Sequence, residues 1–156
     1  MAVEFDRAGS EDVPALAQLR LCYLREDLGP LPPEQEAALR LRLTQWFPAH
    51  LDRDCFAWTA REDGTVLACC VLAIAEKPPS PAFPRGKTGS VLNVYTRPEH
   101  RRRGLARRLM ELLLREAAAM ELDHVELKAT EAGYPLYRSL GFLEECSHYR
   151  LMKKYL

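Results

Sequence analysis

The stretch from Arg101 to Met120 constrains this chain most. Ala106, Met110, Leu113, Ala117 and Met120 fall on one helical stripe, and Leu105, Leu109 and Leu112 widen it. The strand-like run SVLNVYT (90–96) precedes it and HVELKA (124–129) follows it. A strand, a helix and a strand in that succession predict a β-α-β crossover, which leaves its two strands parallel. Upstream, CFAWTA (55–60) and TVLACCVLAIAE (65–76) flank Glu62-Asp63-Gly64. Asp-Gly between two apolar runs predicts a tight antiparallel hairpin. The two units together imply an α/β (α+β) fold: a central, mostly antiparallel mixed sheet with helices on its faces.

The remaining segments fit that frame. AVEFDR (2–7) alternates as a short strand. Ser10 offers an N-cap for a helix that Gly29-Pro30 ends. A second helix is expected from about 33 to 51, with Pro48 kinking or ending it. The proline-rich stretch 78–89 is a loop, and Leu136 to Leu140 is a short helix stopped by Gly141. Residues 142–156 are expected as one or two strands. The order is β-α-α-β-β-β-α-β-α-β, without linker or repeat, and the 156 residues suit one domain, 1–156.

Charge narrows the function classes. Lys plus Arg is 22 and Asp plus Glu is 22, so the net charge is zero. A dedicated nucleic-acid-binding domain carries a basic excess, so no nucleic-acid partner is expected. The five cysteines have no C-x-x-C or Cys/His spacing, so no metal is expected and the thiols read as buried and free. Cys69 and Cys70, adjacent in a strand, should face opposite ways. No signal peptide or membrane-length apolar run is visible, so the expectation is a cytoplasmic protein without a membrane partner.

Against the zero net charge, EHRRRGLARRLM (99–110) packs arginine at 101, 102, 103, 107 and 108. Arginine is favoured at the end of a helix rather than its start. The first turn also leaves backbone N–H groups free, which makes an anion site. Gly104 and Ala106 lack bulk, so a phosphate can come close to the backbone. Two readings stand: a polyanion site, or a solvated basic face balanced by Glu99, Glu111 and Glu116. Gly86-Lys87-Thr88 is a decoy for a P-loop, because Pro81 stands where that motif needs glycine and a strand follows instead of a helix.

Arg101-x-x-Gly104-x-Ala106, after a strand and a proline, resembles the R/Q-x-x-G-x-G/A motif of the GNAT acyl-CoA N-acyltransferases. Leu136-Tyr137-Arg138-Ser139-Leu140-Gly141-Phe142 is similar to the L-Y-x-x-L-G-F block of the same family. Segment order and length also agree. The resemblance implies a GNAT-like fold and an enzyme, an acetyl-CoA-dependent N-acetyltransferase. It acts on a primary amine by direct attack in a ternary complex. The backbone around Arg101, Arg102, Arg103, Gly104, Leu105, Ala106 and Arg107 would hold the pyrophosphate of acetyl-CoA. Val94, Tyr95 and Thr96 would pair with the pantetheine arm. The strand after the long helix would splay away to open the slot, and Tyr137 would protonate the departing thiolate.

The chain also departs from that pattern. Thr130 stands where many members have Asn, Gly133 where a helix Ala is common, and no carboxylate lies in SVLNVYT. Glu76, Glu131 and His148 are candidates for the missing base. On the acceptor side, Glu26 and Asp27 either bind a cationic amine or are solvated acids paired with Arg25; Asn93 is a further substrate-side candidate. A CoA-binding sensor without turnover is the alternative function. A homodimer is compatible with the sequence, and the acceptor amine is open.

Overall fold

The computed structural model describes residues 2–156. Its strands are β1 (Glu4–Arg7), β2 (Cys55–Glu62), β3 (Thr65–Glu76), β4 (Lys87–Thr96) and β5 (His124–Glu126). Its helices are α1 (Val13–Leu28), α2 (Pro33–His50), α3 (Leu105–Ala119) and α4 (Tyr134–Ser139). The strands lie in the order β1-β2-β3-β4-β5. All neighbours are antiparallel except β4 and β5, which α3 connects as a parallel pair. This is the mixed sheet that the hairpin and the crossover imply.

Asp63 and Gly64 form the β2–β3 turn with φ of 49° and 78°. Two consecutive left-handed residues match the twist of the flanking strands, so Glu62 pairs with Thr65 without a splay. The sheet buries both faces. On one, Leu105, Leu109, Met110 and Leu113 of α3 pack on Trp58, Cys70, Leu72 and Val91. On the other, Val13, Leu16 and Leu19 of α1 and Phe47 of α2 pack on Cys55, Cys69, Val71 and Tyr95. Cys69 and Cys70 do face opposite cores, as strand alternation requires.

Several boundaries differ from expectation, each for a local reason. Ser10 lies in a single 3-10 turn, and Asp12 directly precedes α1. The buried Asp12 carboxylate accepts the Gly9 N–H and pairs with Arg61, which outweighs a hydroxyl cap. Pro48 falls in the last turn of α2, where the helix ends at His50. β4 begins at Lys87, because Asp123 accepts the N–H groups of Arg85 and Lys87 and docks the end of the loop beside β5. α3 begins at Leu105 rather than Arg101, since Arg102 and Gly104 are left-handed at φ of 65° and 76°. Residues 142–156 form no strand; beyond Phe142 they are exposed, with no partner backbone to complete a ladder. No helix among the described residues is long and apolar enough to cross a membrane.

Candidate active site

The β4–β5 ladder is short. Thr88, Gly89 and Ser90 pair with His124, Val125 and Glu126, and there the pairing ends. From Val91 to Thr96, β4 therefore has no strand on that side. The opening is a cleft of about 870 Å³. Val94, Tyr95 and Thr96 of β4 line it, with Tyr23, Glu26 and Asp27 of α1 facing them and Gly133, Leu136 and Tyr137 closing the far wall.

A bulge tunes this strand. Cys69 pairs with Tyr95 but Val71 pairs with Leu92, so three steps along β4 match two along β3. The extra residue falls beside Asn93, which is left-handed at φ 51°. Strict alternation would put Val91 and Val94 on opposite faces. The bulge returns Val94 to the α3 side and sends Tyr95 to the α1 side. Asn93 itself is buried beside Cys69, with its amide 3.5 Å from the thiol, and does not line the cleft.

At the cleft floor, Arg102 and Gly104 alternate with more ordinary backbone. A left-handed residue in such a turn bends successive N–H groups toward one point, the geometry of an anion-binding nest. Arg108 is the first amide of α3 bonded back, to Gly104 O at 3.1 Å. The N–H groups of Leu105, Ala106 and Arg107 thus belong to the unpaired first turn. A Cβ on Gly104 would meet no heavy atom within 4 Å and would project into open space. This backbone can hold a polyanion.

The arginine side chains divide the labour. Arg101 donates to Glu26 Oε2 at 2.7 Å and to the Thr96 carbonyl at 2.9 Å, with its guanidinium over the Tyr95 ring. That bond holds the Glu26 carboxyl below the usual carboxylate range. Glu26 is therefore paired with Arg101, while Arg25 pairs with Glu36. Asp27 stays exposed on the cleft wall. Arg107 donates to Ser139 Oγ at 2.6 Å and ties α3 to α4, and Arg102 also borders the cleft. The side chain of Arg103 turns away to Glu62 at 3.0 Å.

Tyr137 sits on α4 against Phe142, with the ring centroids 5.9 Å apart. Burial pushes its phenol up to about 12, and no hydrogen bond offsets that burial. The hydroxyl is therefore a proton donor throughout the neutral range. Gly133 is fitted to it: a Cβ there would stand 2.8 Å from Tyr137 Cε2. Thr130 is structural in this arrangement, since its Oγ1 accepts the Gly133 N–H at 3.1 Å and its carbonyl accepts the Tyr134 N–H.

Val94, Tyr95, Thr96, Arg101, Arg102, Gly104, Leu105, Ala106, Arg107, Glu26, Asp27 and Tyr137 thus share one cleft. Arg103 and Asn93 do not point into it, nor do Glu76, Glu131 and His148 line it. Glu76 borders a separate pocket with Arg53, Asp54 and Lys87. Tyr23 and His100 are cleft residues that the sequence reading passed over. Tyr23 stands three and four residues before Glu26 and Asp27, a spacing that puts all three on one helix face.

The Acetyltransferase (GNAT) family model matches residues 16–142. Curated protein sequences gave no significant match. Among solved structures, a predicted acetyltransferase with acetyl-CoA from Clostridium acetobutylicum is 25% identical, with a TM-score of 0.84 over 97% of this chain and 96% of that one. A GCN5-related N-acetyltransferase from Ralstonia eutropha JMP134 is 29% identical, with a TM-score of 0.82 over 97% of this chain and 99% of that one. A ribosomal-protein-alanine N-acetyltransferase from Brucella melitensis biovar Abortus 2308 shares the fold at 22% identity and a TM-score of 0.70, over 98% of this chain and all of that one. The opened β4–β5 pair, the left-handed turn before α3 and this match together establish that the chain belongs to the acetyltransferase (GNAT) family.

Proposed function

We propose that this chain is an N-acetyltransferase that passes the acetyl group of acetyl-CoA to a primary amine by direct attack in a ternary complex. The observation that carries the reading is the meeting of two features in one cleft. The left-handed turn at Gly104, with the unpaired first-turn amides that follow it, and the half-buried phenol of Tyr137 line the same cleft. The residues fit the donor. The first-turn amides of α3 take the pyrophosphate, with Arg102 and Arg107 supplying positive potential. The open backbone of Val94–Thr96 accepts the amide-bearing pantetheine arm as an added strand would. An N–H of β4 polarises the thioester carbonyl.

Asp27 is the cleft carboxylate that Arg101 does not occupy, so it receives the cationic amine. The bound ammonium gives up one proton to solvent, and the neutral amine attacks the thioester carbon to form a tetrahedral oxyanion; its nitrogen loses a second proton to solvent as the oxyanion collapses and the C–S bond breaks. Tyr137 gives its proton to the leaving thiolate and regains one from solvent. The test is a free-thiol release assay with acetyl-CoA against small amines, amino acids, peptide N-termini and lysine peptides. Amine-dependent thiol release supports transfer. Binding of acetyl-CoA without release by any amine class supports a CoA sensor instead.

A further inference from the structure

Arg20 is a cation without an anion. It follows Ala17 by three residues and Leu16 by four, so it continues the stripe by which α1 faces the sheet. It is half-buried there, with its guanidinium over the Tyr23 ring at 5.9 Å from the centroid. Arg25, Arg101 and Arg103 each hold a carboxylate within 3.0 Å. Among the described residues Arg20 has no ion pair and no side-chain hydrogen bond. The deficit is local. Burial raises the Cys69 thiol to about 12, and the Asn93 side chain and the charges of Arg20 and Arg97 act against that rise. Arg20 thus stands near the thiol that Asn93 touches, and Asn93 Oδ1, buried at that place, also lacks a partner. A partly desolvated guanidinium with no acceptor costs stability, and an anionic ligand removes that cost.

Its place on α1 indicates what the anion belongs to. Arg20, Tyr23 and Asp27 are spaced i, i+3 and i+7, so they share one helix face, and Tyr23 and Asp27 line the cleft. Resting on the transfer reading above, in which Asp27 receives the amine, we propose that the acceptor is a free amino acid whose carboxylate binds Arg20. A guanidinium fork matches a carboxylate in two parallel hydrogen bonds. Seven residues of helix rise about 10 Å. A charged hydrogen bond of about 2.8 Å at each end takes up more than half of that span. Few atoms therefore separate the amine from the carboxylate. Diamines, aminoglycosides and uncharged amines leave Arg20 unanswered.

Matched acceptors test this. Free amino acids, from glycine and β-alanine to those with large side chains, are compared with their amides, which keep the amine and lose the anion. Thiol release with acetyl-CoA gives the KM of each, and calorimetric titration of the CoA-loaded protein gives its affinity. The best acid should have a KM about 10-fold or more below that of its amide. Arg20→Gln should erase that preference by raising the KM of the acid, and Arg20→Lys, which keeps the charge without the fork, should retain part of it. The acetyl-CoA melting shift should persist in both variants. Equal use of acid and amide, or an acid preference that survives Arg20→Gln, overturns the proposal and leaves acetyl transfer standing. If no amine releases thiol, the titration decides. Arg20-dependent binding of the acids upholds the carboxylate site while the transfer reading falls, and the absence of such binding overturns both.

Discussion

Replacing Gly104 separates the fold from the anion site. Its φ of 76° and ψ of 14° are left-handed, and a Cβ there touches nothing within 4 Å. Gly104→Ala therefore pays backbone strain alone, about 1–2 kcal/mol. For a domain of this size that lowers Tm by roughly 2–8 °C. Gly104→Glu carries the same strain, but its carboxylate stands at the positive end of α3, which returns about 0.3–1 kcal/mol. The two apo proteins should therefore melt within a few degrees of each other. Acetyl-CoA separates them. At about 100 times its Kd a ligand adds about 2.7 kcal/mol, a rise of roughly 5–11 °C in the wild type. The introduced carboxylate competes for the same amides and repels the pyrophosphate, so this rise should vanish in Gly104→Glu and persist in part in Gly104→Ala. Differential scanning fluorimetry with and without acetyl-CoA measures all three. A full ligand-induced rise in Gly104→Glu, or none in the wild type at millimolar acetyl-CoA, would refute the assignment of this turn.

Three further outcomes follow from the same geometry. Tyr137→Phe should lower kcat about 100-fold while leaving the acetyl-CoA melting shift intact; an unchanged kcat removes Tyr137 from the chemistry. The folded phenol, at about 12, lies above its ordinary 10.0, so the acid is fully present at lower pH and is lost only as pH rises through about 12. The same raised value stabilises the fold below pH 10 and loses that contribution between 10 and 12, so an alkaline limb of kcat near pH 9 must belong to another group. Gly133→Ala drives a methyl to 2.8 Å from the Tyr137 ring, and should lower kcat with little change in the KM for acetyl-CoA. Steady-state kinetics with unaltered kcat would show that the ring position does not matter. Finally, burial raises Cys55 and Cys69 to about 12 and pushes the Cys70 thiol up as well, so thiol titration of the native protein at about pH 8 should find only Cys22 and Cys146, with the other three reacting after unfolding.

What was legible in the sequence is what local rules encode. The Asp63-Gly64 turn and the Leu105–Ala117 stripe each state their geometry within a few residues, and both stand in the structure. The Arg101–Ala106 pattern located the cleft floor for the same reason. The bond between Arg101 and Glu26 joins residues 75 apart, and no periodicity announces it. The bulge at Asn93 was half visible, since Asn tolerates left-handed backbone better than most residues. An alternating pattern nonetheless conceals a phase change until the partner strand is known. Residues 142–156 make the converse point. Alternation specifies which side chains share a face, but a strand also needs a neighbour's N–H and C=O groups, and those belong to another segment.

The bulge and the buried phenol bear on one question, how a weak acid can protonate a good leaving group. A free phenol near ~10 is already a poorer acid than a thiol near ~8.5, and at about 12 Tyr137 would face a gap of roughly 5 kcal/mol if the thiolate stayed solvated. It would not stay solvated on the proposed reading. Returning Val94 to the α3 side places an apolar side chain along the same cleft as Tyr137 and Leu136. A sulfur leaving there loses water as it gains charge, which raises its own proton affinity. Thiols in this chain respond in the same direction: burial lifts Cys69 to about 12, and burial together with the nearby Asp54 and Asp52 carboxylates does the same at Cys55. The desolvation that weakens Tyr137 as an acid therefore also strengthens the thiolate as a base, which narrows the gap between them.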